Sequence, residues 1–241
     1  MQLLISVKNS EEALVALHAG ADIIDLKDPN VGALGALNLI DSEKSVRAIN
    51  GLALVSATVG EGHAALADLL CDIKKRVELG VDIVKIGVSA LFFADDFVAE
   101  MLKLTQTNIK IVAVFFADAE LNLDLLAKLQ QAGFYGAMLD TQNKAVSLTN
   151  LLLNNHLQHF VQSCAQYALK SGLAGSLKPQ DIEFIQRLNP TFIGFRGGVC
   201  ENDMRQSALS ANKITEAKNV LHKHNKTRAK AQESLTLSLH S

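Results

Sequence analysis

Two lysines occupy the last position of strand-like apolar runs, where a charge is costly to bury. Lys27 ends the run Ile23–Lys27, and Lys85 ends the run Val81–Lys85. The same pattern, Gly-x-Asp-Ile, leads into both runs, at Gly20–Ile23 and at Gly80–Ile83. An ammonium group in a partly dry environment loses its proton more easily, and a neutral lysine amine is a nucleophile toward a carbonyl carbon. The repeated pattern therefore predicts Schiff-base chemistry on an aldehyde or a ketone.

The chain alternates short β-branched runs with stretches of helical spacing, eight times over. The predicted strands are Leu3–Ser6, Asp22–Lys27, Leu52–Thr58, Asp82–Ile86, Ile109–Phe115, Gly136–Asp140, Gly172–Ser176 and Thr191–Arg196. The predicted helices are Glu11–His18, Ser42–Ile49, Ala64–Leu79, Asp95–Leu104, Leu121–Gln131, Leu148–Leu169, Pro179–Leu188 and Arg205–His222. Eight such units with short links predict parallel pairing, and so an α/β fold that is a single (β/α)8 TIM barrel over residues 1–222.

An open, doubly wound sheet is the alternative arrangement of the same units. It would need a glycine-rich dinucleotide-binding loop after the first strand, whereas that strand is followed by Val7–Ser10. The barrel is therefore the preferred prediction. Residues 223–241 are polar without a sustained period, and we expect them to form a mostly disordered tail.

Composition limits the function classes. A length of 241 residues suits one α/β barrel, and a net charge of -2 argues against a nucleic-acid or acidic-membrane partner. Three widely spaced cysteines form neither a disulfide framework nor a zinc pattern, and the N-terminus resembles no signal peptide. We expect a cytoplasmic homo-oligomer that contacts neither nucleic acid nor a membrane and uses no metal and no cofactor.

Charged residues recur where the predicted strands end, which is where a TIM barrel carries its catalytic groups. Asp25 and Lys27 are two residues apart and so share a face of the second strand. Lys85 ends the fourth strand, and Asp140 ends the sixth, with Lys144 in the following loop. Each could alone be a rim salt bridge. Converging charges of both signs instead predict a network that shifts pKa values for acid–base catalysis.

Glycines with polar neighbours mark the ends of the seventh and eighth strands. Gly175 and Ser176 end the seventh, and Arg196 ends the eighth, with Gly197 and Gly198 directly after it. Loops at these positions commonly bind phosphate through backbone N–H groups, with Arg196 as a bidentate donor and Ser176 as a hydroxyl donor. Tight turns are the alternative role for the glycines. The preferred prediction is a phosphorylated carbonyl substrate, with its carbonyl group at the strand-end lysines and its phosphate at the loops of the seventh and eighth strands.

Three further residues are weaker candidates. His63 is the one histidine near the predicted mouth, and we interpret it as an ordinary loop residue. Asp118 could orient a lysine or cap the next helix, and capping is the preferred role. Cys200 follows the predicted phosphate loop without a histidine at a suggestive spacing.

Taken together, these blocks resemble one family. From about Met1 to about His222 the chain is similar to the (5-formylfuran-3-yl)methyl phosphate synthases of methanofuran biosynthesis, also called 4-(hydroxymethyl)-2-furancarboxaldehyde-phosphate synthases. Asp-x-Lys-Asp-Pro at Asp25–Pro29 and Leu-Ala-Gly-Ser-Leu at Leu173–Leu177 are the most specific blocks. The other blocks are Leu4–Val7, Gly32–Gly35, Val55–Gly60, Val84–Gly87, Met138–Thr141 and Gly194–Gly198.

The resemblance implies a lyase that joins two molecules of glyceraldehyde 3-phosphate into a phosphorylated furan aldehyde, with loss of phosphate and water. It implies a Schiff base on Lys27 and proton transfer by Lys85, with Asp25, Asp140 and Lys144 lining the same mouth. Archaeal relatives more often carry Val-Lys-Asn where this chain has Leu26–Asp28, which adds a negative charge here. Another Schiff-base aldolase or isomerase of phosphosugars, or a non-catalytic barrel that binds a phosphorylated metabolite, remains the alternative.

Overall fold

A closed barrel of eight parallel strands forms the centre of the molecule, and the computed structural model describes residues 1–223. The strands are β1 Gln2–Val7, β2 Ile23–Leu26, β3 Leu54–Thr58, β4 Ile83–Gly87, β5 Lys110–Phe116, β6 Gly136–Asp140, β7 Lys170–Leu173 and β8 Phe192–Phe195. The helices are α1 Ser10–His18, α2 Leu39–Ile49, α3 Leu66–Glu78, α4 Phe97–Thr105, α5 Leu125–Gln131, α6 Leu148–Leu151, α7 Asn154–Gln166, α8 Ile182–Leu188 and α9 at 211–223. The predicted TIM barrel is confirmed, whereas the predicted tail, apart from residue 223, lies outside the described residues.

Side-chain alternation along each strand separates two apolar regions. On β2, Ile24 and Leu26 point outward into the large core between the strands and the helices, and Ile23 points into the barrel. The interior cluster fills the barrel with aliphatic and aromatic side chains: Leu4, Ile23, Leu34, Ile83, Val112, Val114, Met138, Ala174 and Phe192. Polar residues on the same inward rows, such as Asp25 and Lys85, therefore lie above an apolar floor.

The seventh unit differs from its prediction. The expected helix Leu148–Leu169 is divided into α6 and α7, and β7 begins at Lys170, two residues before the predicted start. Extended backbone at Leu152 divides the helix, and Ala168 ends it with a left-handed φ of 56°. No glycine marks that end, so the usual stop signal is missing. As a result, Gly175 and Ser176 lie in the loop after β7.

The last helix also starts later than predicted. The expected helix Arg205–His222 begins only at residue 211, and Glu201–Asp203 form a short 3-10 turn after β8. An antiparallel bridge between Cys200 and Leu209 keeps residues 205–210 out of the helix, and the Ser210 N–H donates to the Val199 carbonyl at 2.8 Å. Arg205 therefore lies in the loop at the barrel mouth. Within residues 1–223, no helix is long and apolar enough to cross a membrane.

Candidate active site

Asp25 and Lys85 form the most deeply buried ion pair at the carboxyl ends of the strands. Lys85 Nζ lies 2.7 Å from Asp25 Oδ2, and the Asp25 side chain is fully buried. Ser6 and Ser56 donate their hydroxyls to the two Asp25 oxygens, at 2.8 and 2.7 Å. These serines face Asp25 in the β1–β2 and β2–β3 registers. Three donors thus hold this buried carboxylate in one position.

The surroundings of Lys85 weaken its hold on a proton. Burial lowers the pKa of Lys85, the Asp25 carboxylate opposes this effect, and the nearby charge of Lys27 lowers the pKa further. The net shift is downward from the ordinary value for lysine. Lys85 therefore holds its proton less tightly than an exposed lysine does.

Asp140 joins two other lysines across the mouth. Its Oδ2 lies 3.4 Å from Lys27 Nζ, and its Oδ1 lies 2.6 Å from Lys144 Nζ. Thr141 adds a backbone N–H bond to Oδ1 at 2.8 Å. Burial raises the pKa of Asp140, but the charges of Lys27 and Lys144 outweigh burial and hold it well below its usual range. Asp140 therefore stays ionised at neutral pH beside Lys27.

For the pKa of Lys144, burial outweighs the charge of the ion-pair partner. Burial lowers its pKa, and the Asp140 carboxylate opposes this shift without cancelling it. The side chain also donates to the Thr141 carbonyl. Asp118 fixes the surrounding loop, because it accepts N–H bonds from Gln142 at 2.8 Å and Asn143 at 2.6 Å. The predicted helix-capping role of Asp118 is wrong, since its acceptors are used on the loop that carries Lys144.

The loop between β2 and α2 closes over one side of the barrel. Leu34 is only 1% exposed and belongs to the interior cluster, and its N–H donates to Glu61 Oε1 at 2.6 Å. The Gly35 carbonyl accepts from Asp28 N and from Thr58 Oγ1, each at 2.9 Å. A Cβ on Gly35 would lie 2.1 Å from the Val31 carbonyl oxygen, so this tight loop requires glycine.

A cavity of about 350 Å³ opens beside this loop. Lys27, Lys85, Asp140 and Lys144 line its floor and one wall, and the loops after β7 and β8 line the other side. The structure therefore places Asp25 beneath this cavity and the four other predicted catalytic residues in its wall. His63 lies apart from this group, with Nε2 3.2 Å from Asp72 Oδ2. Among residues 1–223, no group of three or more His, Cys, Asp or Glu side chains could hold a metal ion.

Comparison with known proteins assigns the family. A family model described as 4-HFC-P synthase matches residues 3–218. The chain belongs to the 4-HFC-P synthase family. A relative from Methylorubrum extorquens is 41% identical over 217 residues, which are 90% of this chain and 89% of the relative. The (5-formylfuran-3-yl)methyl phosphate synthase of Methanosarcina mazei is 35% identical, covering 86% of this chain and 94% of its own length.

Solved structures agree with the barrel assignment for this 4-HFC-P synthase family member. A phosphoribosyl anthranilate isomerase from Thermus thermophilus aligns with a TM-score of 0.66 and 13% identity, over 92% of this chain and 99% of its own. A 3-hexulose-6-phosphate synthase aligns with a TM-score of 0.66 and 18% identity, over 91% and 99% of the two chains. At such identities the likeness shows the fold alone.

The loops after β7 and β8 lie against each other at the cavity. The backbone N–H groups of Gly175, Ser176, Gly197 and Gly198 have no acceptor among the described residues, and all four residues line the cavity. A Cβ on Gly198 would lie 2.2 Å from the Leu177 carbonyl oxygen, so glycine permits this close approach. The Ser176 hydroxyl differs from its prediction, because it donates to the Lys144 carbonyl at 2.8 Å.

Arg196 is the clearest departure from the predicted site of this family member. Its Nη1 and Nη2 atoms pair with the Glu12 carboxylate and also donate to the Ser6 and Ser207 carbonyls, at 3.1 and 3.2 Å. Its Nε donates to the Arg205 carbonyl at 2.7 Å. These bonds use all five N–H donors of a guanidinium. The predicted phosphate fork at Arg196 is therefore wrong, because no donor remains for a ligand.

Ser6, Ser56 and Arg205 belong to the site, although the sequence patterns did not indicate them. Both serines lie on inward strand positions next to Asp25 in register, and that alternation could have identified them once the strands were aligned. Arg205 lines the cavity, but its prediction as the first residue of a helix concealed this position.

Proposed function

We propose that this protein joins two molecules of glyceraldehyde 3-phosphate into (5-formylfuran-3-yl)methyl phosphate, through a Schiff base on Lys27, for a methanofuran-type cofactor. Membership of the 4-HFC-P synthase family supports the product. The observation that carries the mechanism is the position of Lys27. The buried amine of Lys27 faces the cavity. Two other residues of the cavity wall lie near it: Asp140, which is ionised at neutral pH, and Lys85, whose pKa is lowered.

The first step forms the covalent bond. Lys27 Nζ attacks the aldehyde carbon of one triose phosphate, and the carbonyl oxygen leaves as water. Lys144 is the acid that protonates the leaving oxygen, because burial lowers its pKa toward the working range of a general acid. Asp140 remains ionised and stabilises the positive iminium that forms about 3.4 Å away, at the present position of Lys27 Nζ.

The second step removes a proton and then phosphate. Lys85, in its neutral amine form, takes the proton from the carbon next to the iminium, and the bonding electrons move to nitrogen. Those electrons return to break the bond between the third carbon and its phosphate oxygen, so phosphate leaves with the electron pair. The Asp25 carboxylate, 2.7 Å from Lys85 Nζ, stabilises the ammonium that Lys85 becomes. An enol with a nucleophilic terminal carbon remains on Lys27.

The positions of the substituents on the product determine the third step. A phosphomethyl group on ring carbon 3 requires bond formation at the middle carbon of the second triose. That molecule therefore reacts as its ketone isomer, which proton transfer by the same lysine chemistry can supply. Ring closure through the terminal hydroxyl releases two water molecules, and hydrolysis of the imine restores Lys27. The balance is two triose phosphates to one furan phosphate, one phosphate and two water molecules.

The retained phosphate has a separate place in this scheme. The unpartnered N–H groups of Gly175, Ser176, Gly197 and Gly198 are suited to bind its oxygens at the far side of the cavity. Backbone donors of this kind bind an anion without bringing a further carboxylate or ammonium group into the network around Lys27. This separation keeps the phosphate apart from the lysines that carry out the chemistry.

Incubation of the purified protein with glyceraldehyde 3-phosphate alone tests the proposal. The expected result is an ultraviolet-absorbing furan aldehyde that appears with free phosphate in a ratio of one to one. Phosphate release without a furan, or a six-carbon sugar phosphate without phosphate release, would instead assign the site to another elimination enzyme or to an aldolase. Binding without any conversion would assign it to a non-catalytic barrel.

A further inference from the structure

The cavity contains more positive than negative charge. Six cationic side chains line it: Lys27, Lys85, Lys144, Lys178, Arg196 and Arg205. Four carboxylates lie within ion-pair distance of members of this set: Glu12, Asp25, Asp140 and Asp203. In their ordinary charge states these groups leave an excess of two positive charges, which matches the charge of a phosphate monoester dianion.

Arg205 is the cation that lacks a carboxylate. The other five each lie within 4.0 Å of a carboxylate oxygen, whereas no carboxylate in residues 1–223 lies that close to Arg205. Its Nη2 donates to the Gly32 carbonyl at 3.1 Å, and its remaining N–H groups have no acceptor among the described residues. A half-buried guanidinium with free donors on a cavity wall is suited to bind a planar pair of anionic oxygens.

The position of Arg205 is fixed from two sides. Arg196 Nε donates to the Arg205 carbonyl at 2.7 Å, so the Arg196–Glu12 pair supports the backbone of Arg205. The contact with Gly32 brings the Arg205 side chain against the loop that begins directly after Lys27. Burial lowers the pKa of Arg205, and the charges of Asp140 and Asp28 oppose that effect. Arginine nevertheless stays protonated in proteins.

We infer that Arg205, supported by Arg196, binds the phosphate of a triose phosphate in the Lys27 cavity. The inference rests on the proposed function for the identity of the substrate. It extends that function, because neither the family resemblance nor the predicted site includes Arg205. Arg196 is then a positioning residue, whereas Arg205 touches the substrate.

The test compares Arg205→Gln with Arg187→Gln, which removes an exposed arginine near the end of α8. Inorganic phosphate is titrated first, by calorimetry, because its binding needs no turnover. The dissociation constant should rise about ten- to a hundredfold in Arg205→Gln, the usual loss for a charge-assisted hydrogen bond, and stay unchanged in Arg187→Gln. The KM for glyceraldehyde 3-phosphate should rise by a similar factor, with Arg205→Lys intermediate.

A substrate without phosphate separates binding from a general distortion. Unphosphorylated glyceraldehyde, trapped on Lys27 with borohydride, should label Arg205→Gln and the wild type equally. Unchanged phosphate affinity in a folded Arg205→Gln variant would overturn the inference, and so would an equal loss of labelling with glyceraldehyde. If the wild type binds phosphate through Arg205 but forms no furan, the proposed function fails while Arg205 keeps its assignment as an anion-binding residue.

Discussion

Asp25 and Lys27 lie two residues apart on the same inward face, yet the Asp25 carboxylate pairs with Lys85 and Lys27 pairs with Asp140. Each lysine therefore has a different carboxylate as its nearest partner, while the charge of Lys27 still lowers the pKa of Lys85. Lys85 pairs with the fully buried carboxylate of Asp25, whereas Lys27 shares the Asp140 carboxylate with Lys144. The arrangement gives the two strand-end lysines different surroundings, as a nucleophile and a base require.

The first prediction concerns the nucleophile. Lys27→Arg keeps the positive charge but cannot form an imine, so furan formation should fall below detection. Lys74→Arg, on the exposed face of α3, is the matched control and should retain wild-type activity. Borohydride reduction with substrate should add the triose mass to the wild-type peptide that carries Lys27. Labelling at Lys85 or Lys144 instead would assign the nucleophile to that lysine.

The second prediction concerns the buried pair. Asp25→Asn should leave Lys85 as an uncompensated buried cation and lower the free energy of unfolding by about 3–5 kcal/mol. Adding Lys85→Met to Asp25→Asn should recover part of that loss, because the unpaired charge is removed. Urea unfolding of both variants measures the difference. Equal stability of the single and double variants would contradict the argument that the unpaired Lys85 charge causes the loss.

The third prediction concerns acid. The pKa of Asp140 in the folded protein lies below its value in the unfolded chain, which is about 3.9. The ion pairs of Asp140 therefore stabilise the fold fully above about pH 4, and this stabilisation is lost as the pH falls from there toward the folded pKa. The stability advantage of the wild type over Asp140→Asn should therefore be full near neutrality and shrink below about pH 4. Urea unfolding from acid to neutral pH checks this. A constant difference across the range would contradict the shift.

The fourth prediction concerns the role of Arg196. Arg196→Gln and Glu12→Gln should each destabilise the protein by about 3–5 kcal/mol, because each leaves a buried charge without its partner. The double variant should lose less than the sum of the two single losses. Thermal and urea unfolding give the three values. Additive losses would mean that the two residues act independently.

The fifth prediction uses adjacent glycines. Gly198→Ala should force the β7 and β8 loops apart, because its Cβ would lie 2.2 Å from the Leu177 carbonyl oxygen. The cost should be about 1–3 kcal/mol of stability, with a raised KM for the triose phosphate. At Gly197 the nearest atom lies 3.3 Å from the added Cβ, so Gly197→Ala is the milder control. Equal effects in both variants would contradict this packing argument.

The sequence alone determined the barrel and the inward rows that carry its chemistry. Lys27, Lys85 and Asp140 were identifiable as strand-end residues because alternation and helical spacing are local properties of the chain. The bounds of β7 and α9 were less accessible, since left-handed Ala168 carries no glycine signal and no helical spacing predicts the bridge between Cys200 and Leu209. Local patterns therefore predicted which charged residues meet at the mouth.

Only the tertiary structure decided which charges pair. Glu12 pairs with Arg196, which is 184 positions away in the sequence, and Asp140 pairs with Lys27, which is 113 positions away. No spacing rule connects residues so distant, because barrel closure and loop packing bring them together. The same closure leaves Arg205 with free donors at the mouth and commits Arg196 to the protein itself. The family could be predicted from short blocks, whereas the position of Arg205 at the cavity depended on the packing of two loops.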